Sequence, residues 1–229
     1  MFCFFHVTKT AGMSLTKIVT TCLSRSFLYE NHVVLSNNRT RYRSRPLVQS
    51  PDTDAAKYFT GHLVYYGMHE DIQRPGKYIL FLRDPVQRII SLYHHDNIET
   101  VRNERPFPNF TDWIKANLDK TMIHGITSGS KFPATLDGAI KILERTAFIG
   151  LQETFALDVQ QLFYRDIIIP HENVTEKRKK KYFGIKLNEV NKSDYDLMQI
   201  VLADDIKLHK YALKLRADGH NEGFRLPLF

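Results

Sequence analysis

Phe4-Phe5-His6-Val7-Thr8-Lys9-Thr10-Ala11-Gly12-Met13-Ser14-Leu15 passes from an apolar run, through a turn of small and polar residues, into a helical pattern. The run Phe2–Val7 reads as a buried strand. From Met13 to about Ser24 the residues Leu15, Ile18, Val19 and Cys22 recur at helical spacing. A turn between strand and helix exposes backbone amides that have no partner, and the helix dipole adds positive potential there. Such a joint takes a phosphate or sulfate readily. Lys9 places a cation at it, Thr10 and Ser14 offer hydroxyl donors, and Ala11 and Gly12 let a ligand approach the backbone. The plain alternative is an ordinary strand–turn–helix joint with a surface lysine.

The same pattern returns at Lys77–Leu82 (KYILFL), the clearest buried strand in the chain, followed by Arg83-Asp84-Pro85. Pro85 suits the first turn of a helix predicted over Pro85–His95. Arg83 stands where the strand emerges, and Ser91 lies about two turns into the helix, with Arg88 one turn before it. A guanidinium is a fork of donors matched to phosphate oxygens. Two anion sites at two strand ends suit a nucleotide with phosphates at both its 5′ and 3′ positions. The alternative is an Arg83–Asp84 pair that only caps the helix.

Outward from these joints, strands and helices alternate. Further strands are predicted at His32–Leu35, Lys57–Thr60 and Ala147–Leu151. Helices are predicted at Phe110–Leu118, Leu136–Arg145 and Thr154–Tyr164. One long amphipathic helix is predicted over Ser193–Leu215, with Tyr195, Met198, Val201, Leu202, Ile206, Leu213 and Leu215 as its apolar positions. Asn37–Asp54 and Thr175–Lys186 read as loops. The expected fold is α/β: a three-layer, P-loop-like arrangement with a central, mainly parallel sheet flanked by helices. Ligands of such sheets bind beyond the carboxyl ends of the strands.

The 229 residues suffice for a single domain, 1–229. An apolar share of 43% marks a folding chain. Lys plus Arg exceed Asp plus Glu by 32 to 25, a net charge of +7, which fits an anionic ligand or plain solubility. Cys3 and Cys22 form no CxxC pair and are expected as buried thiols, with no zinc or redox site. No apolar run reaches the length of a membrane span.

Gly12 and Lys9 are not in Walker order, where the lysine follows the second glycine, and this counts against a kinase or ATPase. FFHVTKTAGMSL resembles instead the 5′-phosphosulfate-binding motif of sulfotransferases that use PAPS (3′-phosphoadenosine 5′-phosphosulfate). FLRDPVQRIISLY is similar to their 3′-phosphate-binding motif. Phe148-Ile149-Gly150-Leu151-Gln152-Glu153-Thr154-Phe155 is similar to a later stretch of the same family. The group most resembled is the carbohydrate sulfotransferases, especially the heparan sulfate and uronosyl 2-O-sulfotransferases. The resemblance implies Lys9, Thr10, Ala11, Gly12, Met13 and Ser14 around the 5′-phosphosulfate, and Arg83 and Ser91 on the 3′-phosphate. Thr8 stands where many members have proline, and Met13 where they often have a hydroxyl residue.

It further implies transfer of a sulfuryl group to a hydroxyl, on a glycan, with PAPS as co-substrate, no metal and no nucleic-acid partner. Lys9 would neutralise the leaving oxygen. His62, after a short strand and Gly61, is the expected general base, since an imidazole titrates near working pH. His69, Glu70, His94, His95 and Asp96 are its rivals. As it stands the chain is expected to be soluble: cytoplasmic if complete, Golgi-luminal if it is the catalytic core of a longer eukaryotic protein. The basic runs Arg39–Arg45 and Lys177–Lys181 read either as grips for an anion or as solvated loops. Two further classes stand beside the transferase: a small P-loop-type kinase, and a non-catalytic binder of anionic glycan or nucleic acid.

Overall fold

Side chains of consecutive strand residues point to opposite faces, so a strand buried on both sides must be apolar throughout. Strand β1 (Phe2–Phe5) meets that condition: Cys3 and Phe5 enter one core, Phe2 and Phe4 the other. The same alternation runs through β4 (Lys77–Leu82), whose Tyr78, Leu80 and Leu82 face the first core and Ile79 and Phe81 the second. The computed structural model describes residues 1–22, 28–30, 54, 56–61, 64–102, 108–117, 119–163 and 185–227. With β2 (Leu28–Glu30), β3 (Tyr58–Gly61) and β5 (Phe148–Leu151), these strands form a five-stranded sheet in the order β2-β3-β1-β4-β5. Every pairing is parallel.

Helix α1 (Gly12–Cys22) covers one face through Leu15, Ile18 and Val19, joined by α7 (Phe155–Phe163) through Val159, Leu162 and Phe163. The other face is covered by α5 (Met122–Thr127), α6 (Leu136–Arg145) and α9 (Ala203–Ala217). The molecule is therefore the expected three-layer α/β sandwich with a parallel sheet in the middle. A third apolar core is built mainly by helices, α3 (Pro85–Arg102), α4 (Phe110–Ala116) and α8 (Lys192–Val201), with Ile185 and Val190 packed against it. Trp113 lies there, edge-on to Tyr93 at 5.4 Å, as a packing residue. A short helix α2 (Met68–Asp71) precedes β4.

The strand order decides where a ligand can sit. From β1 the chain turns through α1 toward β2, on one side; from β4 it turns toward β5, on the other. The loops after β1 and β4 thus diverge and leave a crevice between two adjacent strands, the topological switch point of an open parallel sheet. The phosphate-type turn follows β1 and Arg83 follows β4. Phe5 pairs with Leu80, so both segments emerge at the same edge.

Two expectations differ from the structure, and a third falls on residues it does not describe. The second strand is at Leu28–Glu30; the predicted His32–Leu35 lies outside the described residues. The helix after β4 runs on to Arg102 instead of ending near His95. The predicted long helix at Ser193–Leu215 is two helices, broken at Leu202 (φ −94°, ψ 11°). Met198 and Leu202 fill the third core, whereas Leu208 and Ala212 pack on the sheet. One straight helix cannot present both sets, so the bend shifts the buried face; Tyr195 and Leu213, expected inside, are more than 40% exposed. No helix among the described residues is long and apolar enough to cross a membrane.

Candidate functional site: an anion cradle between β1 and β4

After Phe5 the chain folds into a compact turn. Thr10 is fully buried; its hydroxyl donates to the Val7 carbonyl at 2.9 Å, and its amide points at the same oxygen at 3.4 Å. The hydroxyl expected to meet a ligand is thus used to tie the turn together. Lys9 and Ala11 both have left-handed backbone (φ 69° and 66°). That conformation costs a residue with a Cβ roughly 1–3 kcal/mol and persists only where the surroundings over-determine it. Gly12 has a different reason to be glycine: a Cβ there would fall on the His6 imidazole. The first helical bond of α1 runs from the Leu15 amide to the Ala11 carbonyl at 3.0 Å. The amides of Gly12, Met13 and Ser14 are left without an intrahelical acceptor. Met13 is exposed and Ser14 half-buried, so Met13 can contribute its amide and Ser14 its hydroxyl as well.

Arg83 reaches across from β4. Its Nη1 donates to the Lys9 carbonyl at 3.4 Å, and its Nε is buried with no hydrogen-bond partner. A buried donor left unmade costs about 1–3 kcal/mol, so this atom is a place where an anionic oxygen would be welcome. Asp84 is the N-cap of α3: its Oδ1 accepts from the Gln87 amide at 2.9 Å. The Asp84 amide donates to Glu153 at 2.6 Å, which ties the end of β5 to the end of β4. The helix-capping alternative from the sequence therefore describes Asp84 and not Arg83. Ser91 is half-buried on α3. Arg88, on the same helix, is turned inward: Nε donates to the Thr8 carbonyl at 3.1 Å and Nη1 to the Lys120 carbonyl at 2.8 Å.

Both cations at this sheet edge are disfavoured by burial. Burial holds the Lys9 ammonium below the usual lysine range; the positive Arg83 pushes it the same way, and Asp96 opposes. Arg83 is lowered too, by burial first, against Glu153 and Asp84. Two half-buried cations that disfavour each other gain from a ligand carrying two or more negative charges. A mainly apolar cavity bounded by Ile89, Trp113, Ile114, Met198 and Leu202, with Asn117 and Lys120 as its polar members, lies in the helical core.

No family model, no curated protein and no solved structure matches this chain.

The proton acceptors sort by position. His62 lies outside the described residues; Gly61 (φ 125°), which precedes it, ends β3 in register with Phe5. His69 is engaged elsewhere, its Nδ1 at 2.8 Å from the Tyr78 hydroxyl, and Glu70 is paired with Lys131. His95 is exposed. Asp96 pairs with Lys120 at 2.9 Å. His94 is held neutral-leaning by burial and by Lys9 and Arg83, while the Ile185 backbone and Glu189 act against these. Its Nε2 sits 2.9 Å from the Ile185 amide and 2.8 Å from the Ile185 carbonyl, so it accepts from the amide in one tautomer and donates to the carbonyl in the other, and in both it is engaged by this backbone. Both basic runs lie outside the described residues.

Glu153 and the inward turn of Arg88 were not read from the sequence as parts of the site. A glutamate two residues past a buried strand, at the sheet edge already holding Lys9 and Arg83, was the signal for the first. For Arg88 no local signal exists, because helical spacing alone cannot tell an outward arginine from an inward one.

Proposed function

We propose that this chain binds a bis-anionic adenosine nucleotide in the β1–β4 crevice and transfers a sulfuryl group from PAPS to a hydroxyl, on a carbohydrate acceptor. The observation that carries the reading is Arg83. A half-buried guanidinium whose Nε is buried and unpartnered leans on the carbonyl of the one lysine in the adjoining phosphate-type turn. The amides of Gly12, Met13 and Ser14, the Ser14 hydroxyl and Lys9 then take the 5′-phosphosulfate. Arg83, with Ser91, takes the 3′-phosphate. The acceptor oxygen forms a bond to sulfur in line with the bridging oxygen, whose bond to sulfur breaks. The electron pair leaves with 3′-phosphoadenosine 5′-phosphate (PAP), where Lys9 offsets the charge. The acceptor proton passes to a general base, assigned to His62.

The test is thermal stabilisation by PAP against Mg-ATP. A ligand at about 100 times its Kd stabilises by about 2.7 kcal/mol. In a chain of this size that raises Tm by roughly 5–11 °C. The reading expects the rise with PAP, and PAPS-dependent sulfation of a glycan that is lost in His62→Ala while PAP still binds. Stabilisation by Mg-ATP alone would favour the kinase. Salt-sensitive heparin or RNA binding without PAP binding would favour the non-catalytic binder.

A further inference from the structure

Arg88 is 3% exposed, and a guanidinium that deep is costly unless its donors are met. It meets two backbone carbonyls from distant parts of the chain, Thr8, 80 residues before it, and Lys120, 32 residues after. The Thr8 carbonyl belongs to the residue just before Lys9, where the backbone enters its left-handed turn. The Lys120 carbonyl sits just before α5, whose first amides, of Met122 and Ile123, donate to the buried Asp205 carboxylate at 2.6 and 3.0 Å. The Lys120 ammonium holds Asp96, the anion that acts on Lys9. The guanidinium is thus the strut between the anion turn and a frame made by α3, α5 and α9.

From this geometry we infer that Arg88 is a positioning residue for anion binding: it never touches the nucleotide but fixes the Thr8 carbonyl, and through it the strained Lys9–Ala11 turn, in the form that aims the α1 amides into the crevice. Two carbonyls at divergent positions need a planar fork. A lysine carries the same charge but offers one compact ammonium on a flexible stem, and cannot hold both in fixed geometry. A methionine would fill the volume and bind neither. The sequence places Arg88 one turn before Ser91 on the helix; the structure turns its side chain into the frame.

The inference rests on the proposed anion site, and the experiment separates the two. Wild type, Arg88→Lys and Arg88→Met are compared by titration calorimetry with PAP, by thermal melting without ligand, and by amide hydrogen exchange. Arg88→Lys is expected to keep its melting temperature within a few degrees and to lose at least tenfold in PAP affinity. Its amides at Lys9–Ser14 should exchange faster while those at Ile79–Leu82 stay protected. A general structural role would instead lower the melting temperature and raise exchange across β4 without a selective change in the turn. PAP affinity within twofold of wild type in Arg88→Lys, or unchanged exchange at Lys9–Ser14 in both variants, overturns the inference. Failure of wild type to bind PAP would overturn the proposed donor, while the exchange comparison still decides the role of Arg88.

Discussion

Arg83→Met tests the crevice most directly, because it keeps the aliphatic stem and removes the fork. In the free protein little should be lost. Arg83 donates one long bond, 3.4 Å to Lys9, and its Nε has no partner. A bond from a charged donor contributes about 1.5–3 kcal/mol at good geometry, and one stretched to 3.4 Å about 1 kcal/mol. Against that loss stands relief: the variant no longer buries a cation, and Lys9 loses the neighbouring positive charge. With about 2–4 °C of Tm per kcal/mol in a protein of this size, the melting temperature should stay within about 4 °C of wild type. With PAP bound, the lost interactions are hydrogen bonds from a charged, buried donor, about 1.5–3 kcal/mol each. Taking about 3 kcal/mol in all, affinity falls about 100-fold. Isothermal titration with PAP reads the loss. Adenosine 5′-monophosphate, which lacks the 3′-phosphate, is the control and should bind wild type and variant alike. A PAP Kd within about threefold of wild type, or an equal loss for the monophosphate, would refute the assignment of Arg83 to the 3′-phosphate.

Lys9→Met should abolish PAPS turnover while leaving the unliganded Tm at neutral pH no lower, since the charged form is disfavoured in the fold. In wild type the folded Lys9 releases its proton below the ordinary lysine pKa, so the unfolded chain binds more protons in that interval and stability rises with pH across it. PAP favours the protonated form, so its affinity should fall as pH climbs through the same alkaline interval; Lys9→Met should flatten both slopes. Gly12→Ala forces a Cβ against His6, and overpacking of that kind costs about 1–3 kcal/mol. Differential scanning fluorimetry should show a lower Tm, with PAP binding lost; wild-type values for both would show that the turn yields freely. Asp158 is 2% exposed and accepts from both Nη atoms of Arg216 (2.7 and 2.6 Å), the Leu151 amide and Thr154. Asp158→Asn should cost about 3 kcal/mol and lower Tm by roughly 6–12 °C, with PAP affinity unchanged. A change in affinity would mean that this pair reaches the site.

Much of the architecture was legible because it rests on local pattern. Doubly buried strands must be apolar without alternation, and KYILFL has no other good reading. Pro85 after Asp84 marked a helix start, and Asp84 caps it. The final helix shows where pattern stops. Periodicity from Tyr195 to Leu215 is continuous in sequence, but two cores with different directions compete for it, and the chain breaks at Leu202 to satisfy both. Thr10 is a second case: a hydroxyl in a polar turn looks like a ligand donor until packing closes over it and its own backbone takes it.

By itself the sequence determined the residue types at the two joints: cations, small residues and free amides are properties of local chain chemistry. Tertiary structure decided which of them meet. Strand order set β1 beside β4 and sent their loops apart, which brought Arg83 onto the Lys9 carbonyl from 74 residues away. It also turned Arg88 away from the crevice and into the frame behind it. Those are consequences of which strands pair and which helices cover them, and no stretch of chain short enough to read as a motif contains that information.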